Sequence, residues 1–287
     1  MERFEDNGIV ISTKTFGERK VIVTLLTENH GLCAGMFRYS KTTKAICEPG
    51  SLVYCKWQAR LADHLGTWTL EQQFSPLSIL FTNPEALMIV NASCSMVKAI
   101  LPEREPASAV YHCFAGLIHQ LPEKNAKNDL ETNHELVACL ISYCYLELFL
   151  LSSFALTLDV SKCAATGTTT DLIYISPKTG RAVCRAAGYE YRDKLLPLPG
   201  FFLTSPMKPL GKSQVEKEGI RDNFDALESH VMKDTPLEEI LAALSVSGYF
   251  LTKYGFTVHD RDMPKARLLL YEHCQKMTNT ESDQQKR

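Results

Sequence analysis

The chain has 287 residues, of which 45% are apolar and 22% charged, with a formal net charge of −2. That composition is ordinary for a soluble globular protein and excludes a disordered, collagenous or coiled-coil chain. The length admits one large domain or two smaller ones, and either can bury a core without covalent staples. The ten cysteines include no Cys-x-x-Cys pair, and several lie in apolar runs, as buried reduced thiols do. The opening Met1-Glu-Arg-Phe-Glu-Asp-Asn7 has no apolar h-region, so the expectation is a chain without a secretory signal, housed in a reducing cytoplasm.

The near-neutral charge is unevenly spread. Between Gly8 and Leu70, eight Lys or Arg stand against four acids. Arg38, Lys41 and Lys44 follow one another with no acid before Glu48. A run of this kind is either a solvated loop or a phosphate-contacting one.

Residues 8–70 read as short strands. Gly8–Phe16 is β-branched, and Val21–Thr27 is a second strand. After the Asn29-His30-Gly31 turn, Leu32–Phe37, Leu52–Trp57 and Leu65–Leu70 complete a set of five. Such a set suits a small barrel, the five-stranded oligonucleotide-binding (OB) barrel first and an SH3-like barrel second.

From Pro76 onward the chain turns to helix formers punctuated by Pro. Helices are expected from Pro84 to Leu101, from Pro106 to Leu121 and, as a long one, within Leu130–Leu158. After an irregular stretch over 159–213 they resume near Val215–Lys233, Pro236–Tyr254 and Pro264–Lys276. The polar tail from Thr278 is expected to be disordered. Within the irregular stretch, Tyr174-Ile-Ser-Pro and Ala182-Val-Cys read as two strands joined by a Pro177-Lys-Thr-Gly180 turn. The expected class is α+β: a barrel domain over 1–78, then a helical domain over 79–287 with a β-hairpin inserted at about 159–199.

Three features invite other readings. Leu136–Leu158 holds a single charge, Glu147, and is long enough to cross a bilayer. Its flanks lack a Lys/Arg cluster, and Ser, Tyr and Cys dilute its hydrophobicity, so a core helix is expected and no membrane contact. Gly211-Lys212-Ser213 ends like a phosphate-binding loop, but Pro206 holds the place of the required glycine and no strand precedes it. His112 and Cys113 adjoin on a helix and point apart, which disfavours a nucleophile–base pair. The sequence contains no nucleophile elbow, no His-Glu-x-x-His and no dinucleotide fingerprint. The expectation is a binding protein with no catalytic residues and no cofactor.

Two motif groups carry a family resemblance. The first is Gly8-Ile-Val-Ile, Phe16-Gly-Glu, Thr24-Leu-Leu-Thr, His30-Gly31 and Leu65-Gly-Thr. The second is Cys163-x-x-x-Gly167, Asp171-Leu, Ser176-Pro-x-x-Gly180-x-Ala-Val and Leu195-Leu-Pro. In that order and spacing they cover most of residues 8–270, and the chain resembles the RecO family of bacterial recombination mediators. The resemblance implies an N-terminal OB barrel and a helical C-terminal domain. It implies binding of single- and double-stranded DNA and annealing of complementary strands. It also implies work with RecR, and often RecF, to load RecA, and engagement of the acidic C-terminal tail of single-stranded DNA-binding protein (SSB).

One departure from the family concerns metal. Many relatives hold a zinc ribbon with two Cys-x-x-Cys pairs, whereas here Cys163 is followed at the third position by Thr166, and Cys184 by Ala187. Structural zinc needs four strong ligands, so the hairpin insert is expected to be a degenerate, metal-free ribbon. Cys163 and Cys184 remain as packed reduced thiols or as a redox pair.

An OB barrel binds DNA by joining a positive groove to aromatic stacking platforms. The candidate cations are Arg19, Lys20, Arg38, Lys41, Lys44, Lys56 and Arg60. Tyr39 and Trp57 are candidate stackers, and Trp57 is equally a candidate core residue. Lys178, Arg181, Arg185, Arg192 and Lys194 form a second basic group that could extend the DNA path or meet an acidic peptide. Two readings from other classes compete: an adaptor whose barrel binds peptide, and a hydrolase with an unrecognised site.

Overall fold

The computed structural model describes residues 2–40, 43–61, 64–122, 129–204 and 235–285. Lys41, Gly211-Lys212-Ser213 and the helix expected near Val215–Lys233 lie outside them. The chain divides into two compact units, Met1–Thr132 and Asn133–Arg287.

The first unit is built on a closed five-stranded barrel of β1 (Glu2–Thr15), β2 (Lys20–Thr27), β3 (Gly31–Arg38), β4 (Leu52–Ala59) and β5 (Thr67–Phe74), in the order β1-β2-β3-β5-β4. This is the OB topology, not the SH3-like alternative. β1 begins six residues before the expected Gly8. Its first half, Glu2–Ile9, pairs with β4 and its second half, Gly8–Thr15, pairs with β2, so one bent strand closes both sides of the barrel. The polar opening residues were misleading because they alternate: Arg3 and Glu5 face outward while the Asp6 side chain is buried. Asp6 is satisfied there by the amides of Asn7 and Asn29, the Asn29 side chain and His30 Nδ1 at 2.7 Å.

β3 and β5 meet only at Met36↔Thr67, in parallel. Two tryptophans that face each other across β4 and β5 bridge this short seam. The Trp57 indole N–H is shared between the carbonyls of Ala34 and Leu65, and that of Trp68 donates to Val23. Gly35 and Gly66 make room for the rings. A Cβ on Gly35 would lie 2.6 Å from Trp68 Nε1, and one on Gly66, at φ +68°, would lie 2.4 Å from the Trp57 ring. Leu65 and Gly66 therefore belong to the β4–β5 loop, and β5 starts at Thr67.

Three helices complete this unit: α1 (Leu77–Thr82), α2 (Pro84–Ile100) and α3 (Ser108–His119). Asn83 caps α2 by accepting the Ala86 amide, with Pro84 at the first helical position. The apolar face of α2 is laid on β1, where Cys94 Sγ reaches the Val10 carbonyl and Lys98 Nζ the Ser12 hydroxyl. The expected domain edge at 78 thus falls inside the first compact unit.

The second unit is organised around α4 (Asp129–Leu151), whose residues 139–148 are all buried. The stretch His134–Phe154 is long and apolar enough to cross a membrane, yet 72% of its most apolar window is buried inside the protein. Its buried charge is paired. Glu147, with no exposure, receives Arg267 Nε at 3.0 Å and Nη2 at 3.2 Å, the Tyr143 hydroxyl at 2.7 Å and the Ser247 hydroxyl. Tyr143 lies on α4 itself, and two C-terminal helices, which follow the short turns α5 (Arg185–Gly188) and α6 (Phe201–Thr204), supply the other two partners. These helices are α7 (Leu237–Leu251), which carries Ser247, and α8 (Lys265–Gln285), which carries Arg267. The backbone of α8 stays helical through Gln285, past the Thr278 where disorder was expected. Nothing from Lys265 to Gln285 is Gly or Pro, so a nucleated helix propagates.

Between α4 and α7 lies a three-stranded sheet, β7-β6-β8, made of β6 (Leu172–Ile175), β7 (Ala182–Cys184) and β8 (Leu196–Pro197). The expected hairpin is present. The third strand, which the sequence did not announce, is only two residues long and pairs with Tyr174 and Ile175.

The buried pair yields a stability prediction. Arg267→Ala leaves the Glu147 carboxylate uncompensated and is expected to cost about 3–5 kcal/mol in denaturant unfolding of the full chain. Combining Glu147→Gln with Arg267→Met removes both charges and keeps an acceptor for Tyr143 and Ser247, so it should recover most of that loss.

Candidate nucleic-acid interface

Inward-facing Val21, Val23 and Leu25 in β2 and Cys33 and Phe37 in β3 force the intervening residues outward. The strand register then aligns Ile22, Met36, Thr67, Gln58 and Arg3 in one row across β2, β3, β5, β4 and β1. Ile22 and Met36 are half-buried and apolar. Lys20 pairs with Arg38 on the next row to one side, and Arg60 follows Gln58 on the other. Lys20, Arg38 and Arg60 are exposed, with no acidic partner among the described residues. Beside Met36 a depression of about 760 Å³ is lined by Gln58, Ala59, Arg60, His64, Leu65, Gly66 and Thr67. The outer face of strands 2 and 3 with the adjoining loops is where OB barrels hold oligonucleotides.

Both loops are anchored. In the β1–β2 turn, the Phe16 amide donates to Lys20, the Tyr39 amide donates to Arg19, and the Tyr39 hydroxyl donates to the Glu18 carbonyl at 3.4 Å. Phe16 itself is left 52% exposed at the edge of the cationic row. On the β4–β5 loop, Arg104 Nη2 donates to the His64 carbonyl at 2.8 Å while its guanidinium lies 5.1 Å from the Trp57 ring centre. Arg104 holds a left-handed backbone, φ +62°, with its amide on the Leu32 carbonyl.

The structure joins some of the sequence candidates and separates others. Lys20 with Arg38, and Arg19 with Tyr39, become neighbours. Lys44 opens a 3-10 turn over Lys44–Cys47 whose Ile46 and Cys47 enter the barrel core, and no pairing links it to the Lys20–Arg38 group. Lys56 is compromised by an ion pair to Glu5 at 3.0 Å, and the Tyr54 hydroxyl together with Lys56 lowers the Glu5 carboxyl pKa. Of the two readings open for Trp57, the structure has the core one: the ring is 5% exposed, stacked under Phe4 and hydrogen-bonded inward. Tyr39 is half-buried and props the β1–β2 turn. Phe16, Ile22, Met36 and Arg3 lie on or beside this face and are not among the sequence candidates. A strict count of alternate positions from Val21 and Val23 would have found Ile22.

The second basic group is largely neutralised. Arg181 Nε lies 3.4 Å from Asp159, and Arg185 Nε lies 3.2 Å from both oxygens of Asp171. Arg192 covers the Tyr189 ring at 5.1 Å. Lys178 and Lys194 alone are exposed without an acidic partner among the described residues.

The same insert shows what stands at the positions of the zinc ribbon. Cys163 Sγ accepts the Cys184 amide at 3.3 Å, and Thr166 Oγ1 lies 3.6 Å from Cys184 Sγ. No group of three His, Cys, Asp or Glu suited to a metal occurs among the described residues. Two thiols, a threonine and an alanine do not fit structural zinc.

An OB barrel with a cationic outer face, followed by helices and a small sheet, defines a class of two-part OB proteins. Comparison with known sequences narrows it. The models for the recombination protein O N-terminal and C-terminal regions match residues 1–73 and 82–233. The chain is 35% identical over 267 residues to the DNA repair protein RecO of Ruegeria sp. (strain TM1040), covering 92% of this chain and 95% of that protein. It is 36% identical over 234 residues to that of Rhodospirillum rubrum, covering 81% and 90%. With that of Caulobacter vibrioides (strain NA1000 / CB15N) it shares 34% over 271 residues, covering 94% and 96%. The chain belongs to the RecO family of DNA repair proteins.

Two outcomes are expected. Arg104→Ala should speed hydrogen exchange at the amides of residues 64–67, where the clamp is lost, and leave the Val23 amide unchanged. Metal analysis of the dialysed protein should find no stoichiometric zinc, because one zinc per chain would require ligands that the insert does not bring together.

Proposed function

We propose that this chain is a DNA-binding recombination mediator without a catalytic centre, acting in the cytoplasm at the nucleoid. It binds single- and double-stranded DNA on the outer face of β2 and β3 and anneals complementary strands. With RecR, and with RecF where that partner takes part, it helps load RecA onto DNA coated by SSB, whose acidic tail it engages. The observation that carries the DNA reading is the set of exposed cations without an acidic partner among the described residues, Lys20, Arg38 and Arg60, flanking the half-exposed Ile22 and Met36. The family's naming as DNA repair proteins supports the same reading. Annealing needs no bond to be made or broken. It needs two polyanions brought together with their repulsion screened, which an unpaired cationic face supplies.

Salt titration of oligonucleotide binding tests this. Each cation that neutralises a phosphate releases condensed counterions, at about 0.7 per contact on single strands. Replacing Lys20, Arg38 and Arg60 together with Ala should lower the log–log salt slope by about two, with circular dichroism unchanged. Lys56→Ala should change it little, since Glu5 already compensates that charge. Phe16→Ala should weaken binding by about 1–3 kcal/mol at constant slope if a base stacks there. A triple variant that keeps the parent's slope would move the DNA path off this face. Absence of any oligonucleotide binding by the parent would favour the peptide-binding adaptor.

A further inference from the structure

Ten cysteines are present, and all ten are buried and unpaired in disulfides. Eight of them sit among apolar neighbours that suppress ionisation. Burial raises Cys55 and Cys94 to about 12 and Cys33 and Cys274 to about 11, and it pushes Cys113 and Cys144 up as well. Cys163 differs. Its backbone opens the tight turn Cys163–Gly167, in which the Gly167 amide returns to the Cys163 carbonyl, and the Ala164 amide ties the turn to Ala182 at the start of β7. The four residues that follow Cys163 in this turn, Ala164 to Gly167, are exposed. Burial alone would raise this thiol too. The Thr166 hydroxyl and the backbone amides of Cys184, Thr166 and Ala165 converge on the sulfur instead and bring it down to about 6.

Cys184 is the only other thiol at this turn. The Cys163 sulfur stands 3.3 Å from the Cys184 backbone nitrogen, from which the Cys184 sulfur is separated by only two carbons. The Thr166 hydroxyl that serves Cys163 also lies 3.6 Å from the Cys184 sulfur. The Thr166 hydroxyl therefore stands beside both cysteines.

We propose that Cys163 and Cys184 are a peroxide-reactive thiol pair, with Cys163 the attacking sulfur and Cys184 the resolving one. The Cys163 thiolate attacks one oxygen of hydrogen peroxide. An S–O bond forms as the O–O bond breaks, and the departing hydroxide takes a proton to become water. The sulfur of Cys184 then attacks the sulfenic sulfur. An S–S bond forms, the S–O bond breaks, and the second oxygen leaves as water with the Cys184 proton. Two thiols and one peroxide become one disulfide and two waters. The new bond fastens the Cys163–Gly167 turn to the end of β7 and locks the insert.

The test uses the full chain and does not depend on the DNA reading. After brief treatment with hydrogen peroxide, the denatured protein is alkylated, digested and mapped by mass spectrometry. A disulfide-linked pair of peptides holding Cys163 and Cys184 is expected, with the eight core cysteines alkylated as free thiols. In Cys184→Ser, the sulfenic acid at Cys163 should persist and be captured by dimedone, while Cys163→Ser should give no adduct at Cys184. On the untreated native protein, iodoacetamide should modify Cys163 about 100-fold faster than Cys55, with a rate that rises with pH through a midpoint near 6. Absence of the linked peptides in the wild-type protein overturns the proposal, as does a Cys163 that alkylates no faster than Cys55. Both readouts come from the parent chain, so a variant that fails to fold does not weaken the test.

Discussion

The barrel depends on two indole rings that cross its weakest seam. β3 and β5 share a single register position, Met36↔Thr67, too little to hold a parallel junction closed by backbone bonds. Trp57 and Trp68 add the missing links. Their N–H groups reach the carbonyls of Ala34, Leu65 and Val23, and their rings fill the interior behind Gly35 and Gly66. A buried indole without a partner for its N–H would be costly, so the rings and the carbonyls they reach constrain one another. The position of the β4–β5 loop, and of the depression it lines, follows from where Trp57 points.

Surface charge in this chain has to be judged by partners, not by sequence density. The stretch from Lys178 to Lys194 looks as basic as the barrel loop, yet Asp159 and Asp171 fold onto Arg181 and Arg185. Exposed pairs of this kind add little stability but remove most of the field that a polyanion would sense. Lys56 is reduced in the same way by Glu5. The barrel face keeps Lys20 and Arg38 because antiparallel pairing sets two cations side by side. That arrangement is mildly unfavourable for the free protein, and a bound phosphate would relieve it.

The second unit turns on a different constraint. A helix whose 139–148 segment is wholly buried and holds the carboxylate of Glu147 is stable in a protein interior only if that charge is met. Arg267, Tyr143 and Ser247 meet Glu147, and the geometry fixes how α7 and α8 lie against α4. The crossing is close enough that a Cβ on Gly248 would stand 2.7 Å from Arg267 Nη2. Hydropathy alone reads α4 as equally fit for a bilayer.

The five barrel strands, the hairpin of the insert, the longer described helices, the OB choice and the family were legible in the sequence. Period-two alternation, the Asn83-Pro84 cap and the ordered glycine motifs are local signals, and local signals survive without a fold. The residues of the site were only half legible. Lys20 and Arg38 were named, but their adjacency depends on register, which joins positions eighteen residues apart. Whether Trp57 faced a base or the core was decided by carbonyls on β3 and on the β4–β5 loop, and Phe16 became a surface residue because the turn behind it is propped by Tyr39. The Cys163 thiol reads from the sequence as one of ten alike. Its chemistry comes from amide and hydroxyl donors that only a folded turn can aim at one sulfur, because hydrogen bonding and ionisation depend on directions in space that residue order does not carry.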